Sequence, residues 1–247
     1  MSDPLRLSQV TAVVLAGGFG TRVRHLLPGL PKPMASVAGR PFLEWVARYL
    51  GRQGVREIVI STGYQAPVAE QHFASAPVAG LSIRCVAETE PLGTGGGFLH
   101  AARACGARPA AWLVLNGDSL VFADLSLAAR LLDEPATAGV ILGREVPDAS
   151  RYGTLVLGPD NVLAGFQEKR PGRGLISAGI YLLRPGLLRE FPQGLPLSFE
   201  KDVFPALTSR KACLKVQLVN APFLDIGTPE TLPQAESFVR HNLDQFL

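Results

Sequence analysis

VVLAGGFGTRVRHLLPGLPKPM, residues 13–34, opens as a strand and closes on a lysine between two prolines. The run 11–16 is short, apolar and rich in β-branched residues, and glycine bounds it, which predicts a buried strand. Gly17, Gly18 and Gly20 follow at once. Backbone without side chains lets N–H groups close around an anion. Thr21 adds a hydroxyl donor, and Arg22 a planar fork suited to phosphate oxygens. Pro31 and Pro33 stiffen the chain around Lys32, a restraint that a surface lysine does not need. The spacing fits neither common phosphate loop: the third glycine of GxGxxG would fall on Val23, and no GK[ST] occurs. The glycines alone leave a tight strand-to-helix turn as the alternative.

Working outward, strands and helices alternate. Phe42, Trp45, Val46, Tyr49 and Leu50 recur at helical spacing, with Pro41 in the first turn and Gly51 or Gly54 as the stop. Strands are predicted at 57–61, 81–86 and 112–115. Helices are predicted at 67–73 and 98–104, the second after a glycine loop at 93–97. Asp124 caps a helix at 125–132. Beyond about residue 140, strands predominate: 139–142, 154–157, 162–166 and 176–183. Ser198 caps a helix reaching about 207, strands follow at 215–219 and 223–225, and a last helix starts at Thr228-Pro229 and reaches about 242, with Pro233 too near its start to break it. The class is α/β, with a mainly parallel sheet flanked by helices. Ligands in such sheets bind beyond the carboxyl ends of the strands, which singles out 17–22, 62–64, 93–97, 116–118 and 225–228.

Composition excludes several classes. With 47% hydrophobic and 18% charged residues among 247, the chain can bury a large core and is not a disordered protein. A net charge of +3 is too small for a nucleic-acid surface but allows anionic small ligands. The longest apolar runs are strand-sized, so no membrane span is expected. Residues 1–9 lack an apolar h-region, so the expectation is a cytoplasmic protein. Cys85, Cys105 and Cys213 form no CxxC pair and read as buried free thiols. The four histidines have no metal-ligand spacing. The size and apolar character allow a homodimer.

Asn116-Gly117-Asp118 ends one very apolar run, and Asp225 ends another. Two carboxylates from separate strand ends make a seat for Mg2+, which takes few protein ligands and completes its shell with water and phosphate oxygens. Each aspartate alone reads equally well as a turn or cap residue.

Taken whole, LAGGFGTRVRHLLPGLPKPM resembles the G-G-x-G-T-R…P-K-P signature of the sugar-1-phosphate nucleotidyltransferases, and further matches recur along nearly the whole chain. The resemblance implies a Rossmann-like mixed sheet in a single domain, 1–247, with a nucleotide-binding half at about 10–135 and a sugar-phosphate half at about 136–247. It implies transfer of a nucleotidyl group to a sugar 1-phosphate, with Arg22, Lys32, Asp118 and Asp225 catalytic and Mg2+ on Asp118 and Asp225. Leu15, Ala16, Gly17, Gly18, Gly20, Thr21, Arg22, Gly63, Glu88, Gly93, Thr94, Gly95, Asn116 and Gly117 would surround the nucleotide. FLDIGTPE (223–230) is similar to the family's W-x-D-I-G-T-P, with Phe223 for tryptophan. YGTL (152–155), FQEK (166–169) and SAGIYLL (177–183) resemble the sugar side, giving Tyr152, Gly153, Glu168, Lys169, Ser177 and Gly179. Arg170 stands where proline is frequent, and Ser177 where asparagine is usual. ETEPLGTGGG, LNGDSL and SFEKDVFP bring the chain nearest to the D-glycero-α-D-manno-heptose 1-phosphate guanylyltransferases, with GTP and the heptose 1-phosphate as substrates. Mannose-1-phosphate guanylyltransferases and N-acetylmuramate-1-phosphate uridylyltransferases share much of this pattern. A non-catalytic nucleotide-sensing subunit would be expected to lack one of the charged ligands, and a dehydrogenase would show the missing GxGxxG. No hexapeptide repeat marks an acyltransferase domain.

Overall fold

The computed structural model describes residues 3–167 and 171–246. Its first strand, β1 (Val10–Ala16), lies deep in the sheet. Ala12, Val14 and Ala16 enter one core and Val13 the other, and β4 (Glu57–Thr62) and β6 (Ala111–Asn116) alternate in the same way. Burial on both faces is why these strands read as unbroken apolar runs. A small hairpin of β2 (Ser36–Val37) and β3 (Arg40–Pro41) precedes α1 (Phe42–Arg52). The first half is completed by α2 (Ala66–Ser75), β5 (Ser82–Ala87), α3 (Gly93–Ala104), β7 (Ser119–Val121) and α4 (Leu125–Asp133). The second half holds β8 (Gly139–Val146), β9 (Thr154–Leu157), β10 (Leu163–Gln167), β11 (Gly174–Leu183), α5 (Phe204–Ser209), β12 (Leu214–Leu218), β13 (Phe223–Asp225) and α6 (Gln234–His241).

Nine strands form one mixed sheet with the path β10-β9-β11-β6-β1-β4-β5, and β8 pairs both β11 and β12. β1 runs parallel to β4 and β6, and β4 parallel to β5. β11 crosses between the halves, antiparallel to β6 on one side and β8 on the other. Within this sheet β10 and β11 run against the remaining strands. The expected mainly parallel α/β sheet therefore forms, and it is continuous through both halves.

Three local expectations give way. The glycines at 93–97 do not form a loop before a helix; they are the first turns of α3. Glycine is a poor helix former, but the Gly95 and Gly96 N–H groups both donate to the Leu197 carbonyl, at 2.8 and 3.2 Å. A Cβ at 93 would lie 2.4 Å from that same oxygen. The last helix starts at Gln234, not Thr228. Residues 228–232 make one turn, with Leu232 N–H donating to Thr228 O at 3.0 Å, and Pro233 ends it because it has no N–H to continue the ladder. Ser198 caps as expected, accepting from Lys201 N, but the coil it opens is a π-turn (Phe199–Val203) leading into α5. The three cysteines are free but only partly buried, not fully buried as expected, and burial, followed by the charge of Glu70, pushes the Cys85 thiol up to about 11. Among the described residues no helix is long and apolar enough to cross a membrane.

Candidate active site

The ends of β1 and β6 lie side by side, with Leu15 opposite Asn116. Gly117 N–H closes on Leu15 O at 2.8 Å, and a Cβ at 117 would stand equally close to that oxygen. The chain then leaves β1 as an irregular loop. Gly17 O accepts from Tyr64 N at 3.3 Å, and Gly63 packs so closely that its Cβ would be 2.6 Å from that carbonyl. Gly20 takes a φ of +58°, which L side chains rarely adopt, and its missing Cβ leaves room for Lys32. Buried Val23 anchors the loop, while Thr21 and Arg22 are exposed on it. Pro31 holds extended backbone at φ −70°, and Lys32 opens a single 3-10 turn. The loop therefore folds back over the lysine and lays its ammonium against the Asp118 carboxylate as an ion pair. The Lys32 side chain is 16% exposed and that of Asp118 28%.

The second carboxylate arrives through a pairing too short to read from the sequence. β7 and β13 place Asp225 opposite Ser119, and Ile226 N–H donates to Asp118 O at 3.0 Å. Gly227 N–H holds Asp225 Oδ1 at 2.6 Å, and the Tyr152 hydroxyl donates to Oδ2 at 3.5 Å. Burial first, and the charge of Asp118 next, push the Asp225 carboxyl above its ordinary range, against the pull of Lys32, the Gly227 N–H and Arg151. The two acids thus share one electrostatic neighbourhood. Among the described residues no three or more His, Cys, Asp or Glu side chains gather as a metal cage. Two hard oxygen donors beside an internal cation fit a Mg2+ that keeps most of its shell in water and phosphate.

A cavity of about 300 Å³ opens beside Asp118, walled by Leu15, Gly17, Gly18, Glu88, Gly93, Thr94 and Asn116. A smaller one of about 170 Å³ adjoins it through Gly17 and Glu88 and reaches Gly63 and Tyr64. Glu88 lines both. Ser61 Oγ donates to its Oε1 at 2.8 Å and Leu92 N to its Oε2 at 3.2 Å. A Cβ at Gly17 or Gly97 would come within 2.8 or 2.5 Å of Oε1, so the carboxylate fits only because both positions are glycine. A cavity of about 410 Å³ at the opposite end of the strands, by Thr11, Glu57 and Arg84, holds none of the candidate site residues.

The candidates divide accordingly. Lys32, Asp118, Asp225 and Tyr152 meet, and Leu15, Gly17, Gly18, Glu88, Gly93, Thr94 and Asn116 share the cavity. Ala16 is buried behind it. Gly95 is instead packed on Leu197 and Val203, and its N–H is engaged within the protein. The Thr94 hydroxyl accepts from Phe199 N at 3.0 Å. Ser177 sits in a bulge of β11, donating to the Tyr181 hydroxyl at 3.1 Å and accepting from Gly179 N at 3.2 Å. Gly179, at φ +74°, rests on Asn116. Gly153 packs near Gln167 O. Glu168 and Lys169 lie outside the described residues. Two site residues went unread in the sequence: Ser61, which closes the β4 run before TGY, and Arg151, which lies one position before YGTL and has Nη2 3.9 Å from Asp225 Oδ2.

The nucleotidyl transferase family matches residues 11–242. A mannose-1-phosphate guanylyltransferase of Mycobacterium tuberculosis is 37% identical over 242 residues, 96% of this chain and 64% of that protein's length. A D-glycero-α-D-manno-heptose 1-phosphate guanylyltransferase of Campylobacter jejuni is 33% identical over 220 residues, 89% of this chain and 95% of that one. The crystal structure of HddC from Yersinia pseudotuberculosis superposes with a TM-score of 0.81 at 32% identity, covering 92% of this chain and 98% of that chain. HddC complexed with GMP-PN superposes at 0.78 with 34% identity. With the strand, glycine loop and lysine turn in place and a match across nearly its whole length, the chain belongs to the nucleotidyl transferase family.

Proposed function

We propose that the protein is a sugar-1-phosphate guanylyltransferase that joins GTP to a sugar 1-phosphate, D-glycero-α-D-manno-heptose 1-phosphate favoured, and releases pyrophosphate. The observation that carries this is the placing of Lys32 on Asp118, beside Asp225, at the edge of a glycine-walled cavity. The relatives named as guanylyltransferases, and the GMP-PN complex of HddC, support the base. Their sugars differ, so mannose 1-phosphate is the second reading, on the 37% identity to the M. tuberculosis enzyme.

A sugar phosphate oxygen attacks the α-phosphorus in line; the new P–O bond forms as the bond to pyrophosphate breaks, and no covalent enzyme intermediate is needed. Both reactants are polyanions, so the work of the site is to align them and offset their repulsion. The backbone of residues 17–21 and the Arg22 guanidinium hold the triphosphate. Lys32 meets charge growing on the phosphates, and prearranged donors of this kind are worth about 3–4 kcal/mol each in the transition state. Asp118 and Asp225 would hold Mg2+, which neutralises phosphate oxygens. Glu88, with both oxygens anchored, presents an acceptor edge for guanine N1–H and N2–H2. Lys169 takes the sugar phosphate, and Tyr152, Gly153, Glu168, Ser177 and Gly179 the sugar. The product is a GDP-sugar for surface polysaccharide, made in the cytoplasm.

The test is a grid of pyrophosphate release: GTP, ATP, UTP, CTP and dTTP against the 1-phosphates of heptose, mannose, glucose and N-acetylmuramate. Highest kcat/KM is expected with GTP and the heptose. A maximum with UTP or dTTP overturns the guanylyl reading. GTP binding with no release on any sugar identifies a non-catalytic subunit.

A further inference from the structure

We infer that Arg151 is a further substrate-binding residue, a guanidinium that takes the phosphate of the sugar 1-phosphate; the inference rests on the transferase reading above. Arg151 lies in the bend between β8 and β9, immediately before Tyr152. Its Cζ stands 5.5 Å from the Tyr152 ring centroid, and its Nη2 is 3.9 Å from Asp225 Oδ2. The Tyr152 hydroxyl reaches that same oxygen. The side chain is 39% exposed, so it lies near the ring and is still open to solvent.

A separation of 3.9 Å is an ion pair without a hydrogen bond. The donors of the guanidinium are therefore not engaged by Asp225, and the contact is easily exchanged for a stronger one. Two protein cations border the acidic pair: Lys32, ion-paired with Asp118 and also acting on Asp225, and Arg151, close to Asp225 alone. Lys32 comes from the first half of the chain and Arg151 from the second. The nucleophile's phosphate must be held beside a triphosphate without adding to the repulsion, and a planar fork suits its three free oxygens. A cation–π contact with the Tyr152 ring restricts the side chain before substrate arrives, which lowers the ordering cost on binding.

The test uses the full-length protein with Arg151→Gln and Arg151→Lys. Arg151→Gln is expected to raise KM for the sugar 1-phosphate roughly 10- to 100-fold, the loss of one charge-assisted contact. KM for GTP should stay within about twofold, and calorimetric titration with the sugar 1-phosphate alone should show the same weakening. Arg151→Lys should recover part of the loss. If Arg151 only props Asp225, then KM for GTP and Tm move together with KM for the sugar, lysine gives no rescue, and the inference is overturned. An unchanged KM for the sugar 1-phosphate overturns it as well. Failure of the underlying transferase reading is separately visible, because the unmodified protein would then release no pyrophosphate with any sugar 1-phosphate.

Discussion

Lys32 is the residue on which most depends. Its turn is held by backbone bonds, Met34 N to Pro31 O and Ala35 N to Lys32 O, so the side chain can be removed without loss of the fold. Lys32→Ala is expected to lower turnover about a hundredfold or more, measured by pyrophosphate release. The same variant should bind Mn2+ more tightly than the parent in the absence of nucleotide, because a competing internal cation has gone. Near-normal turnover would take Lys32 out of the chemistry. Asp225 makes the opposite kind of statement. Its carboxyl keeps a proton to higher pH in the folded chain than in the unfolded one. The folded state therefore binds more protons across that interval, and its stability falls as pH rises from the ordinary 3.8 through the raised folded value. At neutral pH the charged form is a burden on the fold, so Asp225→Asn should raise Tm while abolishing activity. Each kcal/mol relieved corresponds to roughly 2–4 °C for a chain of this size. A lower Tm in that variant would refute the account. Lys32 and Asp118 were legible because proline flanks and an apolar strand are strong local signals. Arg151 was not, because a lone arginine beside a tyrosine carries no pattern until the fold sets it against Asp225.

Among elements, α1 shows how a buried charge can serve structure alone. Its apolar residues at helical spacing fix its inward face, and Glu44, on the other side of the helix, is nonetheless only 2% exposed. Arg40, Arg48 and His72 surround the carboxylate at 2.6, 2.9 and 2.9 Å, tying α1 to α2. Burial opposes the charge, but these three partners outweigh it and hold the carboxyl below its ordinary value of 4.5. Its contribution is present above 4.5 and is lost as pH falls through the lower folded value. Glu44→Gln should cost about 2 kcal/mol in urea unfolding at pH 7, and the gap from the parent should close as the pH falls through that window. A gap that persists in acid would mean the loss is one of packing. β1, α1 and β4 were readable since periodicity and end signals agree. The start of α3 was not, because glycine's propensity argues against helix and only contact with Leu197 reverses it. β7 has three residues, too few for any periodicity. The start of α6 turned on whether Pro233 would be tolerated, which its missing N–H decided.

At the scale of the molecule, the halves inferred from function are not separate bodies of secondary structure. β11 joins them within one sheet, pairing Ile180 with Leu115 of β6 and Tyr181 with Ile141 of β8. Apolar clusters cover both faces of that sheet and draw on residues of both halves. The chain is therefore expected to unfold in a single cooperative transition, with calorimetric and van't Hoff enthalpies equal; two resolved transitions would show independent domains. The alternation of elements made the parallel first half readable, whereas the antiparallel β11 at its border rests on contacts distant in sequence. The Leu197 carbonyl that closes the start of α3 has a further consequence, for engineering. A side chain at 93 meets that oxygen, one at 95 meets Val203, and one at 96 meets Leu195. No partner substitution can therefore make room at 93, where the obstacle is main chain, whereas larger residues at 95 and 96 call for a matching reduction at Val203 or Leu195 in the other half of the chain.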